Sequence, residues 1–368
     1  MSSTRLSNID GLRAVAAMAV FVQHAAGDLL RASPAATPMH ELFEAMTGTV
    51  DLGRFGVVLF FLISGFVVPF SMGGDQPLKH FVLSRFFRLY PCLWLALLAL
   101  TLLLWSKAAP PDLATIAANM TMAPGLFGKA WLSNIYWTLF IELLFYVAVA
   151  ILFALGCLFH CRAAFLTGLL LLASTVIPIM LRQQLGLNLP TQYVGIHLSI
   201  LFSGLLLRMA CVEKEKEAVW AALILLTVQV LSVGLIGAYS VARNDGFAGT
   251  SVEPVLAAYV LAVAVFIVAA MSGRPHSALL AFIGKISYAI YLFHWIVSEL
   301  VYAIWPLTGG WADLSAIALS IVLTVVLSWA IYELLEKPMI RLGKRLSRKG
   351  SAPLLDEPTR IDMGRRLG

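Results

Sequence analysis

Ten apolar runs of bilayer-crossing length divide this sequence, at about 9–30, 53–72, 89–106, 135–159, 163–181, 193–210, 218–240, 253–271, 281–304 and 313–335. A bilayer's hydrocarbon core takes roughly 20 helical residues to cross. Inside it every backbone N–H and C=O must be satisfied within the protein. Runs of this length satisfy them as helices, which excludes an outer-membrane barrel built of short alternating strands. The reading is an all-α, polytopic membrane bundle of about ten transmembrane helices. Composition agrees: 60% of the 368 residues are hydrophobic and 12% are charged, about half the charged share of a soluble domain. The first run is too long for a cleavable signal and is expected to stay as the first helix.

Charge sets the expected orientation. The N-terminus, every second loop and the C-terminal tail carry 20 Lys and Arg residues; the opposite side carries 6. Lys and Arg favour the cytoplasmic side, so both termini are expected there. The expected division is a membrane domain over 1–340 and a basic, flexible tail over 341–368 that meets anionic lipid heads. With no soluble domain expected after the bundle, the chemistry falls to the membrane helices. Cys157, His160 and Cys161 lie close together, but a fourth ligand at metal-site spacing is missing and no metal is expected.

Within these runs the informative residues are those that lipid disfavours. In "LRAVAAMAVFVQHA", Arg13 and His24 are eleven residues apart. Eleven helical steps come within about 20° of whole turns and rise roughly 16 Å. One helix face therefore carries a cation near the expected cytoplasmic side and an imidazole deep in the membrane. Asp10, three residues before Arg13, is a ready ion-pair partner, and Ser7 or Asn8 a candidate cap. "SRFFRLYP" sets Arg85 and Arg88 on one face at the mouth of the third helix, where guanidinium forks suit phosphates but positive-inside anchoring explains them equally well. "NIYWTLFIELLFY" puts Glu142 inside the fourth helix, at a depth that matches His24, with Tyr136 and Trp137 reading as interface residues. "ISYAIYLFHW" puts His294 in mid-membrane, and "YELLEKP" ends the last helix with Glu333, Glu336 and a Pro338 stop. For Glu333 and Glu336 ordinary solvation competes with a role. Ser64 and Gly65 of "FFLISGF" read as small packing residues.

These stretches, in this order from about 9 to 340, resemble the blocks of the membrane acyltransferase-3 family. "IDGLRAVAAMAVFVQHA" is similar to its Arg, ten residues, His opening; "FGVVLFFLISGF", "SRFFRLYP", "WTLFIELLFY", "ISYAIYLFHW" and "LLEKP" resemble the blocks that follow. Thr138 stands where Ser is common, and "FIELL" lacks the second acidic residue usual after Glu142. The resemblance implies an O-acyltransferase of a bacterial plasma membrane that moves an acyl group, acetyl above all, from cytoplasmic acyl-coenzyme A to a hydroxyl of a sugar, glycan or lipid-linked glycan. It implies that His24 is catalytic and that Arg13, Arg85 and Arg88 hold the donor. Glu142 is then expected to orient the imidazole or the acceptor. Asp10, Ser64, Trp137, His294 and Glu336 are the remaining candidates. Nucleic acid is not an expected partner. The competing expectation is a transporter of a glycan or small solute, since intramembrane His, Glu and Arg also mark proton-coupled pathways.

Overall fold

The computed structural model describes residues 3–35, 37–73, 75–185, 193–244, 246–272 and 277–348. They are helical, with no β-strand among the described residues. In chain order the helices are α1 (Ser3–Ala32), α2 (Pro38–Thr49), α3 (Leu52–Val67), α4 (Pro77–Ser106), α5 (Leu113–Met120), α6 (Trp137–Ala154) and α7 (Cys161–Leu185). There follow α8 (Val194–Cys211), α9 (Lys216–Arg243), α10 (Glu253–Met271), α11 (Ala278–Ile304), α12 (Asp313–Ile331) and α13 (Lys337–Arg348). Nine helical stretches among the described residues are long and apolar enough to cross a membrane, and they coincide with nine of the ten runs.

The tenth run is α1. It has ample length, but Asp10, Arg13, Gln23 and His24 dilute it. It tolerates them because it is held inside the bundle, packed between α3 and α11 with α2 and α10 alongside. A helix wrapped in protein needs no all-round apolar coat. The packing is close enough to be set by backbone: a Cβ on Gly284 of α11 would stand 1.8 Å from the Asp10 carbonyl oxygen. That approach fixes the level of Asp10 and Arg13 against α11. α1 runs from Ser3 to Ala32, so positions 7 and 8 fall inside its range and not at its start.

Burial separates inner from outer helices. In the apolar window of α8, 83% of residues are buried, against 28% for α7. Outer helices present leucine and tryptophan stripes instead, as Leu98, Leu102 and Trp105 do on α4 at i, i+4 and i+7. In a membrane protein these are the lipid-facing surfaces.

Two boundaries differ from the sequence reading, both at prolines. α4 starts at Pro77, so Arg85 and Arg88 ride on the helix well inside its first turns; Pro91 is accommodated within it. Proline is tolerated in membrane helices where neighbouring groups satisfy the freed backbone. At the other end, the chain does not stop at Pro338. A π-helical turn, Tyr332–Glu336, leads without a break from α12 into α13, and Pro338 falls just after it, in the first turn of α13. Residues 341–348 of the expected tail are thus helical and pack on α4, with Gly343 against Phe87. The rest of that tail, 349–368, lies outside the described residues.

Candidate active site

A cavity with about 720 Å³ of atom-free space, part of it open to the surroundings, gathers four of the charged residues singled out above: Arg13 from α1, Arg85 and Arg88 from α4, and Glu142 from α6. Each is delivered by helix geometry. Arg13 is half-buried and its Nη1 donates to Asp10 Oδ1 at 2.9 Å, a three-residue pair along α1. Arg85 and Arg88 share a face of α4. Arg85 donates to Ser71 Oγ at 3.4 Å, and its guanidinium lies 5.8 Å from the ring centres of both Phe81 and Tyr146, within cation–π range.

Glu142 is answered on two sides. Its Oε1 accepts from Ser64 Oγ at 3.2 Å and from the Tyr146 hydroxyl one turn further along α6. Ser64 thus lines the cavity and bonds Glu142, while its neighbour Gly65 packs against the backbone of α8. The rest of the lining is hydroxyl-rich: Ser287, Tyr288 and Tyr291 of α11, and Thr138 of α6. Tyr291 donates to the Ile135 carbonyl at 2.8 Å and lies 2.8 Å from Thr138 Oγ1. Tyr288 donates to the Leu89 carbonyl at 2.9 Å. Three guanidinium groups against one carboxylate leave the cavity cationic. Planar cations of this kind are weakly hydrated and match phosphate oxygens two at a time.

His24 does not line this cavity. It is half-buried on α1 with its ring 5.2 Å from that of His294 on α11. His294 is buried and lies 6.2 Å from the Tyr291 ring, which does line the cavity. The imidazole and the arginine cluster are thus joined through Tyr291 and His294. Glu142 stands with the arginines, within electrostatic reach of Arg13, and has no contact with His24 among the described residues. The matched depth expected for these two is corrected here. The segment before α6 folds inward: Asn119 is buried and holds the Ala130 carbonyl and the Leu132 amide, and Tyr136 is buried too.

Two further candidates sit beside the cavity. Glu336, placed by the π-helical turn, is buried, with Cys92 Sγ 3.7 Å from its Oε1 and Arg88 within electrostatic reach. Solvation fits Glu333, which accepts from Lys337 at 2.5 Å, and does not fit Glu336. Trp137 is half-buried, with its ring 4.8 Å from His197 and 6.4 Å from Phe61; Tyr136 is buried, so it presents no face to a membrane interface. The sequence reading passed over Tyr146, Ser287, Tyr288 and Tyr291. Helical spacing held the signal: Glu142 and Tyr146 at i, i+4, and Ser287, Tyr291 and His294 at i, i+4, i+7.

Comparison with known proteins meets this geometry. No solved structure matches the chain significantly. A curated relative, "Acyltransferase MdmB" of Streptomyces mycarofaciens, is 24% identical over 379 aligned positions covering 95% of each chain. Residues 6–333 match the acyltransferase-3 model, described as an acyltransferase domain. That match takes in every helix from α1 to α12 and all four charged residues of the cavity, so the chain belongs to the acyltransferase-3 family of membrane acyltransferases.

Proposed function

We propose that this chain is an O-acyltransferase of a bacterial plasma membrane, with both termini in the cytoplasm. It takes an acyl group, acetyl above all, from cytoplasmic acyl-coenzyme A and passes it to a hydroxyl of a sugar, glycan or lipid-linked glycan. The observation that carries the reading is the convergence of Arg13, Arg85 and Arg88 on one cavity. Three guanidinium groups suit the phosphates of a coenzyme A donor; among the described residues Glu142 is the one carboxylate that lines the cavity with them, and Asp10 pairs with Arg13 from outside the lining. The thioester then extends along α1 toward His24. In the transfer, His24 takes the proton of the acceptor hydroxyl as the new C–O ester bond forms. The C–S bond breaks, and the departing thiolate recovers that proton from the imidazolium. The relay version places the acyl group on His24 first, releasing the thiol, and then passes it to the hydroxyl. Tyr146 and Ser64 hold the Glu142 carboxylate in place at the arginines.

The donor assignment is tested by titrating acetyl-coenzyme A against the purified protein. Arg85→Ala and Arg88→Ala should each weaken binding about 10- to 100-fold, the range for one charge-assisted hydrogen bond. In inside-out vesicles the same variants should need correspondingly more labelled acetyl-coenzyme A to reach half-maximal transfer. Equal donor affinity in the wild type and the Arg85→Ala/Arg88→Ala double variant would overturn it.

A further inference from the structure

We infer that His294 is the positioning residue for His24: its free ring nitrogen receives the N–H of His24 and holds that imidazole in the tautomer that works on the acceptor hydroxyl. The inference rests on the reading of His24 as the catalytic imidazole.

The tautomer of His294 follows from its own helix. Its Nδ1 lies 2.9 Å from the Tyr291 carbonyl oxygen and 3.1 Å from that of Ile290. Carbonyl oxygens only accept, so Nδ1 carries the proton and Nε2 carries a lone pair. Nδ1 points back along α11, and α1 packs on the His294 ring through Phe21 and His24. Nε2 is fully buried and has no hydrogen-bond partner among the described residues. A buried acceptor left without a donor costs about 1–3 kcal/mol, and an exception of this kind asks for an explanation.

Three rings pack on His294: Phe21 at 5.4 Å, Tyr291 at 6.2 Å and His24 at 5.2 Å between centres. Phe21 has no donor. The Tyr291 hydroxyl is engaged with the Ile135 carbonyl and Thr138. His24 alone of the three brings an N–H. With ring centres about 5 Å apart, facing nitrogens come within about 3 Å, hydrogen-bond distance. The present 44° tilt between the rings is closed by turning His24, and catalytic hydrogen bonds commonly tighten only when substrate is bound. Once His24 donates to His294, its other nitrogen bears the lone pair that receives the hydroxyl proton. Glu142, which the sequence cast as the orienting group, is committed to Ser64 and Tyr146.

The test compares His294→Phe, which keeps a ring of similar size and removes the acceptor, with His294→Gln, whose amide oxygen can restore it. His294→Phe should lower kcat for acetyl transfer about 100-fold, the low end of a general base's contribution, with affinity for acetyl-coenzyme A unchanged. His294→Gln should recover at least a tenth of the wild-type rate. A merely structural role would lower thermal stability and donor binding in both variants together. Should His294→Phe lose its native melting transition, His294→Met takes its place in the comparison. Wild-type kcat in the Phe or Met variant, or equal loss in Gln, overturns the inference. His24→Ala in the same assay keeps the two readings apart. If it is active, the reading of His24 falls; if it is inactive while His294→Phe is fully active, only the role of His294 falls.

Discussion

His24→Ala is expected to abolish acyl transfer while leaving a protein that accumulates, binds acetyl-coenzyme A and melts as the wild type does. The fold should survive for local reasons. His24 lies inside α1, about two turns before its end at Ala32, where Ala is the strongest helix former. It is half-buried, so its removal leaves little enclosed void. The donor should still bind because Arg13, Arg85 and Arg88 sit in a cavity that His24 does not line. The rate loss should reach at least 10²- to 10⁴-fold for a general base, and be complete if the imidazole carries the acyl group. A single-turnover experiment separates these routes. With labelled acetyl-coenzyme A and no acceptor, label retained on wild-type protein and absent from His24→Ala marks the acyl-enzyme; label on neither marks direct transfer. Transfer at the wild-type rate by His24→Ala would remove the imidazole from the mechanism.

The sequence exposed those parts of the site that lipid makes expensive. Arg13 and Glu142 stood out because a charge within an apolar run demands a partner or a function, Arg85 and Arg88 because two guanidinium forks share one face just before the third run, and the structure brings all four to one cavity. The hydroxyl wall stayed hidden for the opposite reason. Tyr288 and Tyr291 cost little in a membrane helix and attract no notice there; only long-range packing shows that they share a cavity with Glu142 and the arginines, whereas Tyr146 was within reach of the i, i+4 spacing from Glu142. The same holds for α1. Its polar residues read as functional, but nothing local to that run says that it is enclosed by α3 and α11. Glu142 lines the cavity with the arginines, whereas His24 packs on His294, a difference that spacing along separate runs does not reveal. The pair that does meet, His24 and His294, lies on helices 270 residues apart in sequence, a proximity no periodicity encodes.

Gly65→Ala carries the second large effect, and it separates packing from chemistry at adjacent residues. A Cβ on Gly65 would stand 1.8 Å from the Leu201 carbonyl oxygen and 3.0 Å from the Gly204 Cα; one on Gly204 would stand 2.3 Å from the Leu62 carbonyl oxygen. α3 and α8 thus cross backbone to backbone, as small residues allow in membranes. Because the obstructing atoms belong to main chain, no side-chain rotation relieves the clash, and the two helices must part by more than 1 Å. The expected cost is about 3 kcal/mol, the upper part of the range for overpacking, with a melting midpoint lower by on the order of 5–10 °C in a thermal-unfolding assay in detergent. Gly48→Ala is the control. It lies within α2, where a Cβ meets no heavy atom within 4 Å, so it should leave the midpoint unchanged or raise it slightly. A Gly65→Ala protein that melts with the wild type would refute the close crossing. Ser64→Ala should behave in the opposite sense: it removes the hydroxyl that donates to Glu142, so the midpoint should hold while transfer slows. In Gly65→Ala both should fall, because an α3 displaced from α8 also carries Ser64 and Phe60 out of register with Glu142 and Tyr291, and misplacement by about 1 Å can cost 10²-fold in rate.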